Sequence, residues 1–151
     1  MRERDFLTEF GSSVKTCGAF WYKIRDPIGR EVLAGTDHRP FDGFIVARNQ
    51  FVAVEAKVVH EGGYLQLRPH QYSYLSTVCQ FGHPAWILTR VEPIARRACV
   101  YMVSITAYQN YLDDHHRSSI PYRDIPFIGI VLERVNVEGK SYWNICPYLS
   151  L

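Results

Sequence analysis

The sequence predicts an α/β domain in which a mixed β-sheet is flanked by helices. Three observations predict it: an amphipathic helical pattern opens the chain, two β-rich runs flank a short polar turn, and a nearly all-apolar run follows the next helical segment. An apolar run of that kind is typical of a strand buried on both faces of its sheet. A length of 151 residues fits one domain, so residues 1–151 are expected to form a single unit.

The first predicted helix covers residues 3–17 and can end at Gly18. Its apolar residues recur at every fourth position, at Phe6, Phe10 and Val14, which places them on one helical face. A polar turn at residues 48–49 separates two strands and predicts an antiparallel hairpin. The other predicted elements up to residue 91 are strands at 19–25, 41–47, 50–59 and 85–91 and a second helix at 69–81.

Smaller elements are predicted in the last third of the chain. Residues 98–105 predict another strand, and residues 105–112 predict a short helix. Two further segments, 127–135 and 141–148, are expected to pair as a terminal hairpin around the turn at residues 138–139.

The net charge of the chain gives no evidence for nucleic-acid binding. The chain has 17 Lys+Arg against 15 Asp+Glu, a formal net charge of +2, so any basic footprint must be local. Local clusters exist, such as the pair Arg96-Arg97, but one such cluster alone is more often a solvated face than a phosphate site.

The cysteine pattern predicts reduced thiols. Cys17, Cys79, Cys99 and Cys146 lie far apart and form no CxxC pair, which argues against a zinc knuckle and favours mostly buried, reduced thiols in a cytoplasmic protein. No apolar run approaches the ~20 residues that a membrane span needs, and the charged N-terminus does not have the pattern of a signal peptide. We therefore expect no membrane partner.

The stretch from Asp42 to Lys57 carries the strongest functional pattern. Because strand side chains alternate between faces, Glu55 and Lys57 should project together. The alternate residues, which should face the core, are Val52, Val54, Ala56 and Val58. Asp42 lies on the neighbouring strand, so its carboxylate can approach that of Glu55, and two close carboxylates repel one another unless a cation lies between them.

Oxygen ligands of this kind suit Mg²⁺, which typically takes one or two carboxylates and completes its shell with water and substrate phosphate. The main-chain carbonyl of Ala56 could supply a further oxygen, and Lys57 could position or deprotonate an attacking water. The pattern therefore predicts metal-assisted hydrolysis of a phosphodiester. Taken alone, however, an acid and a lysine two residues apart on a strand are far more often an exposed ion pair.

Asp42, the triplet Glu55-Ala56-Lys57 and Gln71 together resemble the motif of the PD-(D/E)xK nucleases. Residues 40–90 most resemble the Holliday junction resolvases of archaea and of Gram-positive bacteria. The resemblance implies a restriction-endonuclease-like core that uses Mg²⁺, with Mn²⁺ as a substitute. It also implies metal binding by the two carboxylates, action of the lysine on the water, and support of the site by the glutamine.

In this family, a carboxylate on the first helix completes the metal site. Glu9 is the first candidate for that role because it borders the buried stripe of the helix, and Glu3 is the lesser one. A solvated helix charge is the alternative for both. The sequence departs from the family pattern at one point, because Phe41 precedes Asp42 and Pro40 lies one place further back.

The resemblance further implies a homodimer that cuts the two strands of a four-way DNA junction symmetrically. The loop at residues 26–39 matches in position the segment that engages the junction centre in these enzymes. The candidate DNA contacts are Arg30, His38, Arg39, Lys23 and Arg25. Two other functions stay open: a restriction-like or repair nuclease that acts on linear or flapped DNA, and a nucleic-acid-binding relative without catalytic activity.

Overall fold

A computed structural model of the chain describes residues 1–25 and 39–149. The helices are α1 (Glu3–Thr16), α2 (Pro69–Gln80), α3 (Ile105–His115) and α4 (Ile125–Ile128). The strands are β1 (Phe20–Lys23), β2 (Gly43–Ala47), β3 (Gln50–His60), β4 (Tyr64–Leu65), β5 (Ala85–Glu92), β6 (Cys99–Ser104), β7 (Ile120–Pro121), β8 (Ile130–Leu132), β9 (Arg134–Val137) and β10 (Lys140–Trp143). Two 3₁₀ turns cover Tyr122–Asp124 and Cys146–Tyr148.

Six of the strands form one mixed sheet in the order β1-β2-β3-β5-β6-β8. Strands β3 and β5 run parallel, and the other neighbouring pairs are antiparallel. Two short ladders, β4 with β7 and β9 with β10, lie outside this sheet. The predicted fold class, a mixed sheet flanked by helices, is confirmed.

The core has two parts, one on each face of the sheet. On the first face, α1 packs its apolar stripe, which includes Phe6 and Phe10, against alternate residues of β3 such as Val54. On the second face, helices α2 and α3 contribute Leu75 and Tyr108 to a separate cluster. Because both faces are covered, β3 and β5 are buried on both sides, as the apolar run at 85–91 predicts.

The elements predicted up to residue 91 are present, with ends that differ by one or two residues at most. Helix α1 ends as expected before Gly18, whose φ of +74° is a left-handed conformation that favours glycine. Helix α2 begins at Pro69, a residue suited to the first helical position because its missing N–H would have no partner there. Strands β2 and β3 pair as the predicted antiparallel hairpin, with Ala47 opposite Gln50.

The predicted terminal hairpin is only partly correct. Residues 127–135 do not form one strand: β8 joins the main sheet beside β6, and only β9 pairs with β10. The division falls at Glu133, which is exposed between the two strands, whereas Leu132 before it is buried in the core beside α1. A buried apolar residue anchors the first strand to the sheet, and the polar residues that follow turn away from it.

The cysteine prediction is wrong for one pair. Cys17 and Cys146 form a disulfide, with 129 residues between them in sequence and Cα atoms 5.3 Å apart. The two meet because Ile145 and Leu149 pack into the same core as α1 and carry Cys146 to the end of that helix. The two free thiols are not fully buried either, because Cys99 is exposed and Cys79 is half-buried. Disulfides are rare in cytosolic proteins, so the predicted cytoplasmic location stays a prediction.

Across residues 1–25 and 39–149, no helix has the length and apolar character that crossing a membrane requires.

Candidate active site

Asp42 lies one residue before β2, at the point where the β2–β3 hairpin stops pairing. The last paired residues are Gly43 and Val54, and the main-chain carbonyl of Asp42 accepts a hydrogen bond from the Ile24 amide at 2.9 Å. Only glycine fits at position 43, because a β-carbon there would overlap the ring of Trp21. The close approach of strand β1 therefore fixes the backbone that carries Asp42.

Asp42 and Glu55 are joined through each other's main chain. The Asp42 amide donates to Glu55 Oε2 at 3.0 Å, and the Ala56 amide donates to Asp42 Oδ2 at 2.7 Å. Both carboxylates are almost completely buried, with exposed fractions of 1% and 2%. The hairpin thus holds two acids together in the protein interior, as the spacing of thirteen residues across a strand turn predicts.

Gln71 connects this pair to the start of α2. Its side-chain oxygen accepts a hydrogen bond from the Arg68 amide at 2.9 Å, which satisfies a main-chain donor at the helix N-terminus. Its Nε2 then donates to Glu55 Oε1 at 2.5 Å. Because one end of the amide is fixed by the helix cap, the other end is positioned on the carboxylate.

Two cationic side chains approach the acids. Lys57 projects from the same face of β3 as Glu55, with Nζ 3.8 Å from Glu55 Oε1, and its side chain is 18% exposed. The guanidinium of Arg39 forms an ion pair with Asp42 Oδ1. Arg39 also makes contacts beyond this pair. The lysine therefore lies at the boundary between the buried acids and solvent, where a substrate can reach it.

Burial dominates the electrostatics of the site. Burial and the nearby Asp42 carboxylate raise the pKa of Glu55 to about 8, against the lowering effects of Lys57, Arg39 and the Asp42 amide. A pKa in that range means that the free site holds a proton at neutral pH, because two buried like charges disfavour one another. A bound cation would relieve that repulsion.

The donor set fits a hard divalent cation. Within 1–25 and 39–149 no group of three or more His, Cys, Asp or Glu side chains is arranged to hold a metal, so the site offers two side-chain carboxylates, Asp42 and Glu55. Magnesium commonly binds through one or two carboxylates and keeps several waters, whereas zinc sites use nitrogen and sulfur ligands. The pair has the chemistry of a magnesium or manganese site and lacks that of a structural zinc site.

The structure does not bring Glu9 to the two carboxylates. Glu9 lies on the α1 face of the sheet, where Oε1 accepts from Arg134 Nη2 at 2.7 Å and Oε2 lies 3.9 Å from Arg90 Nη1. Glu55 faces the opposite side, because it alternates along β3 with Ala56 of the α1 core. Glu3 is exposed in the first turn of α1. A metal-associated role of Glu9 or Glu3 stays an untested prediction, and this geometry gives it no support.

The predicted DNA contacts fall into three groups. Lys23 and Arg25 are exposed at the end of β1, close in sequence to Ile24, whose amide contacts Asp42. Arg39 is engaged by Asp42. Arg30, His38 and most of the predicted loop at 26–39 lie outside the described residues.

Two features of the site were not predicted from the sequence. The ion pair between Arg39 and Asp42 was missed because Arg39 was assigned to DNA, although a separation of three residues in a loop permits the contact. The capping role of Gln71 was also missed, although a glutamine at the third position after the N-cap residue Arg68 is a known signal for it.

No protein-family model and no curated protein sequence matches the chain. Among solved structures, the chain is similar to Hjc from Archaeoglobus fulgidus, a Holliday junction resolvase from an archaeal hyperthermophile. The TM-score is 0.52 with 18% sequence identity, and the match covers 85% of this chain and 92% of that chain. At this identity the likeness concerns the fold. The resemblance predicted from the motif is confirmed at that level: the chain has the fold of an archaeal Holliday junction resolvase.

Proposed function

We propose that the protein is a magnesium-dependent endodeoxyribonuclease that cuts four-way DNA junctions. The observation that carries the proposal is the buried pair of Asp42 and Glu55, held by main-chain amides, with Lys57 beside it. A surface ion pair of the common kind would expose both partners to solvent, and this one does not. The fold shared with a solved resolvase supports the same class of substrate.

Each residue of the site has a distinct part in the proposed reaction. Asp42 and Glu55 would hold Mg²⁺, or Mn²⁺ in its place, with the Ala56 carbonyl as a possible third protein oxygen. When bound, such an ion stabilises negative charge that develops on a phosphate and lowers the pKa of water. Lys57 has a donor group that can orient the attacking water or neutralise the scissile phosphate. Gln71 positions Glu55 and is not expected to contact the reacting atoms.

Buried placement of the acids explains why they can serve this chemistry. A carboxylate whose pKa is raised binds a proton in the free protein and gives it up when a cation arrives. The main-chain amides at Asp42 and Ala56 keep both acids in place whether or not a proton is bound. The site is therefore organised before the cation and the substrate bind, which lowers the cost of reorganisation during the reaction.

The proposal includes a homodimer that makes two symmetric nicks. One chain offers one carboxylate pair within its described residues, and resolution of a four-way junction requires cuts in two strands. Two copies related by a twofold axis would present two such pairs to the two strands. Shape and phosphate position, rather than base edges, would then select the substrate.

The test is strand cleavage of a synthetic four-way junction beside a linear duplex of the same sequence and length. We expect paired nicks in the junction, dependence on Mg²⁺ or Mn²⁺, and much slower cleavage of the duplex. Glu55→Gln should lose cleavage, and Glu133→Gln, the same change at an exposed glutamate, should retain it. Equal cleavage of junction and duplex would contradict the junction selectivity and leave a general nuclease. Absence of metal-dependent cleavage of either DNA would contradict the proposed activity.

A further inference from the structure

We propose that an arginine-rich track around the β5–β6 connection, which reaches both faces of the sheet, binds the phosphate backbone of a nucleic-acid strand. The track consists of two clefts that meet at Arg97 and Cys99. It lies away from the carboxylate pair, and none of Asp42, Glu55 or Lys57 lines it. The inference goes beyond the cleavage chemistry and shares only the class of ligand with it.

The larger cleft has a volume of about 540 Å³ and is walled by Arg90, Arg97, Arg134, Trp143 and Ser141, among others. Arg90 projects from the central strand β5, and its side chain is only 13% exposed. A long cationic side chain normally extends its charged end into water, so an arginine buried to this degree requires partners. The hydrogen-bond partners of Arg90 are incomplete.

Two buried donors in this cleft have no acceptor. The Arg90 Nε donates to Glu92 at 2.9 Å, but its Nη1 makes no hydrogen bond within the described part of the chain and has only the Glu9 carboxylate at 3.9 Å. The indole Nε1 of Trp143 is likewise buried without a hydrogen-bond partner there. Buried donors nearly always find an acceptor, so the polar wall of this cleft is not fully satisfied within the described part of the chain.

The geometry of Arg134 supports an anion site. Its guanidinium lies 4.1 Å from the centroid of the Trp143 ring, and its two terminal nitrogens bind Glu9 and Ser141. The stacking and the two contacts hold the planar group in one orientation at the wall of the cleft. A fixed guanidinium is well suited to bind phosphate, since less rotational freedom is lost on binding.

The second cleft continues the track past Arg97 and Cys99 to the α2 face of the sheet, where Val91 and Tyr101 pack. It has a volume of about 260 Å³, and its walls include Arg96, Arg123, Tyr101 and Tyr122 in addition to Arg97. No acidic side chain lines either cleft, among the residues that the structure describes. Arg96 and Arg97 form no ion pair with any described residue. Glu9 pairs with Arg90 and Arg134, and Glu92 pairs with Arg90, His60 and the N-terminal ammonium, so the positive charge of the track is offset only in part.

The extent of the track favours a strand over a small anion. A single phosphate or nucleotide would fill one cleft, whereas two connected clefts can follow successive phosphates of a chain. The half-buried rings of Tyr101 and Tyr122 line the second cleft beside the arginines, the combination that proteins use to bind nucleic-acid strands by charge and by stacking. The chain is nearly neutral, with a net charge of +2, and its positive charge is concentrated locally along this track.

The test is binding of fluorescein-labelled single-stranded DNA and of a labelled four-way junction, measured by anisotropy in EDTA so that cleavage plays no part. The test variant is the double change Arg96→Gln and Arg97→Gln. The control is Lys15→Gln with Arg117→Gln, which removes the same charge from exposed positions elsewhere. We expect the test variant to weaken binding of single-stranded DNA by about 10-fold. The slope of log K against the logarithm of the salt concentration should fall in magnitude by about one to two, since each lost arginine removes about one phosphate contact. The control should change binding by less than about twofold.

Several results would overturn the inference: no binding of single-stranded DNA by the wild type, equal binding by the test and control variants, or displacement of DNA by inorganic phosphate at equal phosphate concentration. The last result would make the track a site for small anions. Glu55→Gln separates this inference from the proposed function, since it should lose cleavage in Mg²⁺ and bind DNA as the wild type does in EDTA.

Discussion

Buried charges are arranged differently on the two faces of the central strands: one face holds two acids together, and the other holds an arginine between carboxylates. On the α2 face, Glu55 of β3 is placed beside a second acid, Asp42, so two like charges share one buried site. On the α1 face, Arg90 of the neighbouring strand β5 is met by Glu9 and Glu92, so its charge is largely neutralised within the chain. The first arrangement is incomplete without an external cation, whereas the second is close to balanced and suits weaker, distributed binding of an anion.

This difference predicts where mutation acts on activity and where it acts on stability. Breaking a like-charge pair removes function and relieves repulsion, because functional sites often hold groups in unfavourable proximity. Breaking a compensated ion pair leaves a buried charge without its partner and costs stability instead.

Asp42→Asn should reduce junction cleavage by at least about 10³-fold, because the amide retains the hydrogen bond to Ala56 but loses the charge that holds a cation. The change removes the repulsion with Glu55 but also breaks the ion pair with Arg39, so the thermal stability of the metal-free protein should change little. Asp114→Asn, at an exposed position of α3, is the matched control. Cleavage by Asp42→Asn within tenfold of the wild-type rate would contradict the site assignment.

Lys57→Ala should lower single-turnover cleavage by about 10²–10⁴-fold with little change in the affinity for DNA, because the lysine acts on the water or on the developing charge. Its Nζ lies 3.8 Å from Glu55 and is partly open to solvent, which suits that role. Rates and binding constants measured on the same junction separate the two effects. A large loss of affinity with an unchanged rate would show that Lys57 is a phosphate contact only.

The stability of the metal-free protein should fall as pH rises from about 4.5 to about 8. Burial and Asp42 raise the pKa of Glu55 above its ordinary value, so the folded state binds a proton that the unfolded state releases within this window. This loss of stability is complete above about pH 8 and absent below the ordinary pKa of a glutamate. Urea unfolding at pH 5, 6.5 and 8 measures it, and Glu55→Gln should flatten the profile. A wild-type stability that rises through this window would show that Glu55 is ionised in the free protein.

Glu9→Gln should have the smallest effect on cleavage, less than about threefold, because Glu9 contacts Arg134 and Arg90 on the other face of the sheet. It should instead destabilise the fold by about 1–3 kcal/mol, since Arg90 is mostly buried and loses part of its compensation. Thermal unfolding and cleavage are measured on the same preparation. A loss of cleavage by orders of magnitude with an unchanged melting temperature would restore Glu9 to the metal site.

The hairpin and the acid pair could be predicted because the information is local. A polar turn at 48–49, alternation along β3 and a separation of thirteen residues are enough to place Asp42 opposite Glu55. The helix of Gln71 begins at a proline and follows the hairpin after the short strand β4, so its position could be predicted from the same stretch of sequence. Short-range periodicity therefore accounts for the α2 face of the molecule.

The α1 face could not be predicted in this way, because its contacts join distant parts of the chain. Glu9 meets Arg134 across 125 residues, and Cys17 meets Cys146 across 129. Helical periodicity shows that Glu9 borders a buried stripe, but it does not show which side of the sheet the stripe covers. The division of residues 127–135 between two ladders likewise depends on tertiary packing around Leu132.

The central claim is that Asp42 and Glu55 form a cation site, and calorimetric titration of the free protein with Mg²⁺ or Mn²⁺ at pH 7 tests it most directly. Titration in two buffers of different ionisation enthalpy also counts the protons released. Because the pKa of Glu55 is about 8 in the free site, the wild type should bind one ion and release about one proton. Glu55→Gln should bind far more weakly and release none. Equal binding by the wild type and Glu55→Gln, or no binding by either, would contradict the account.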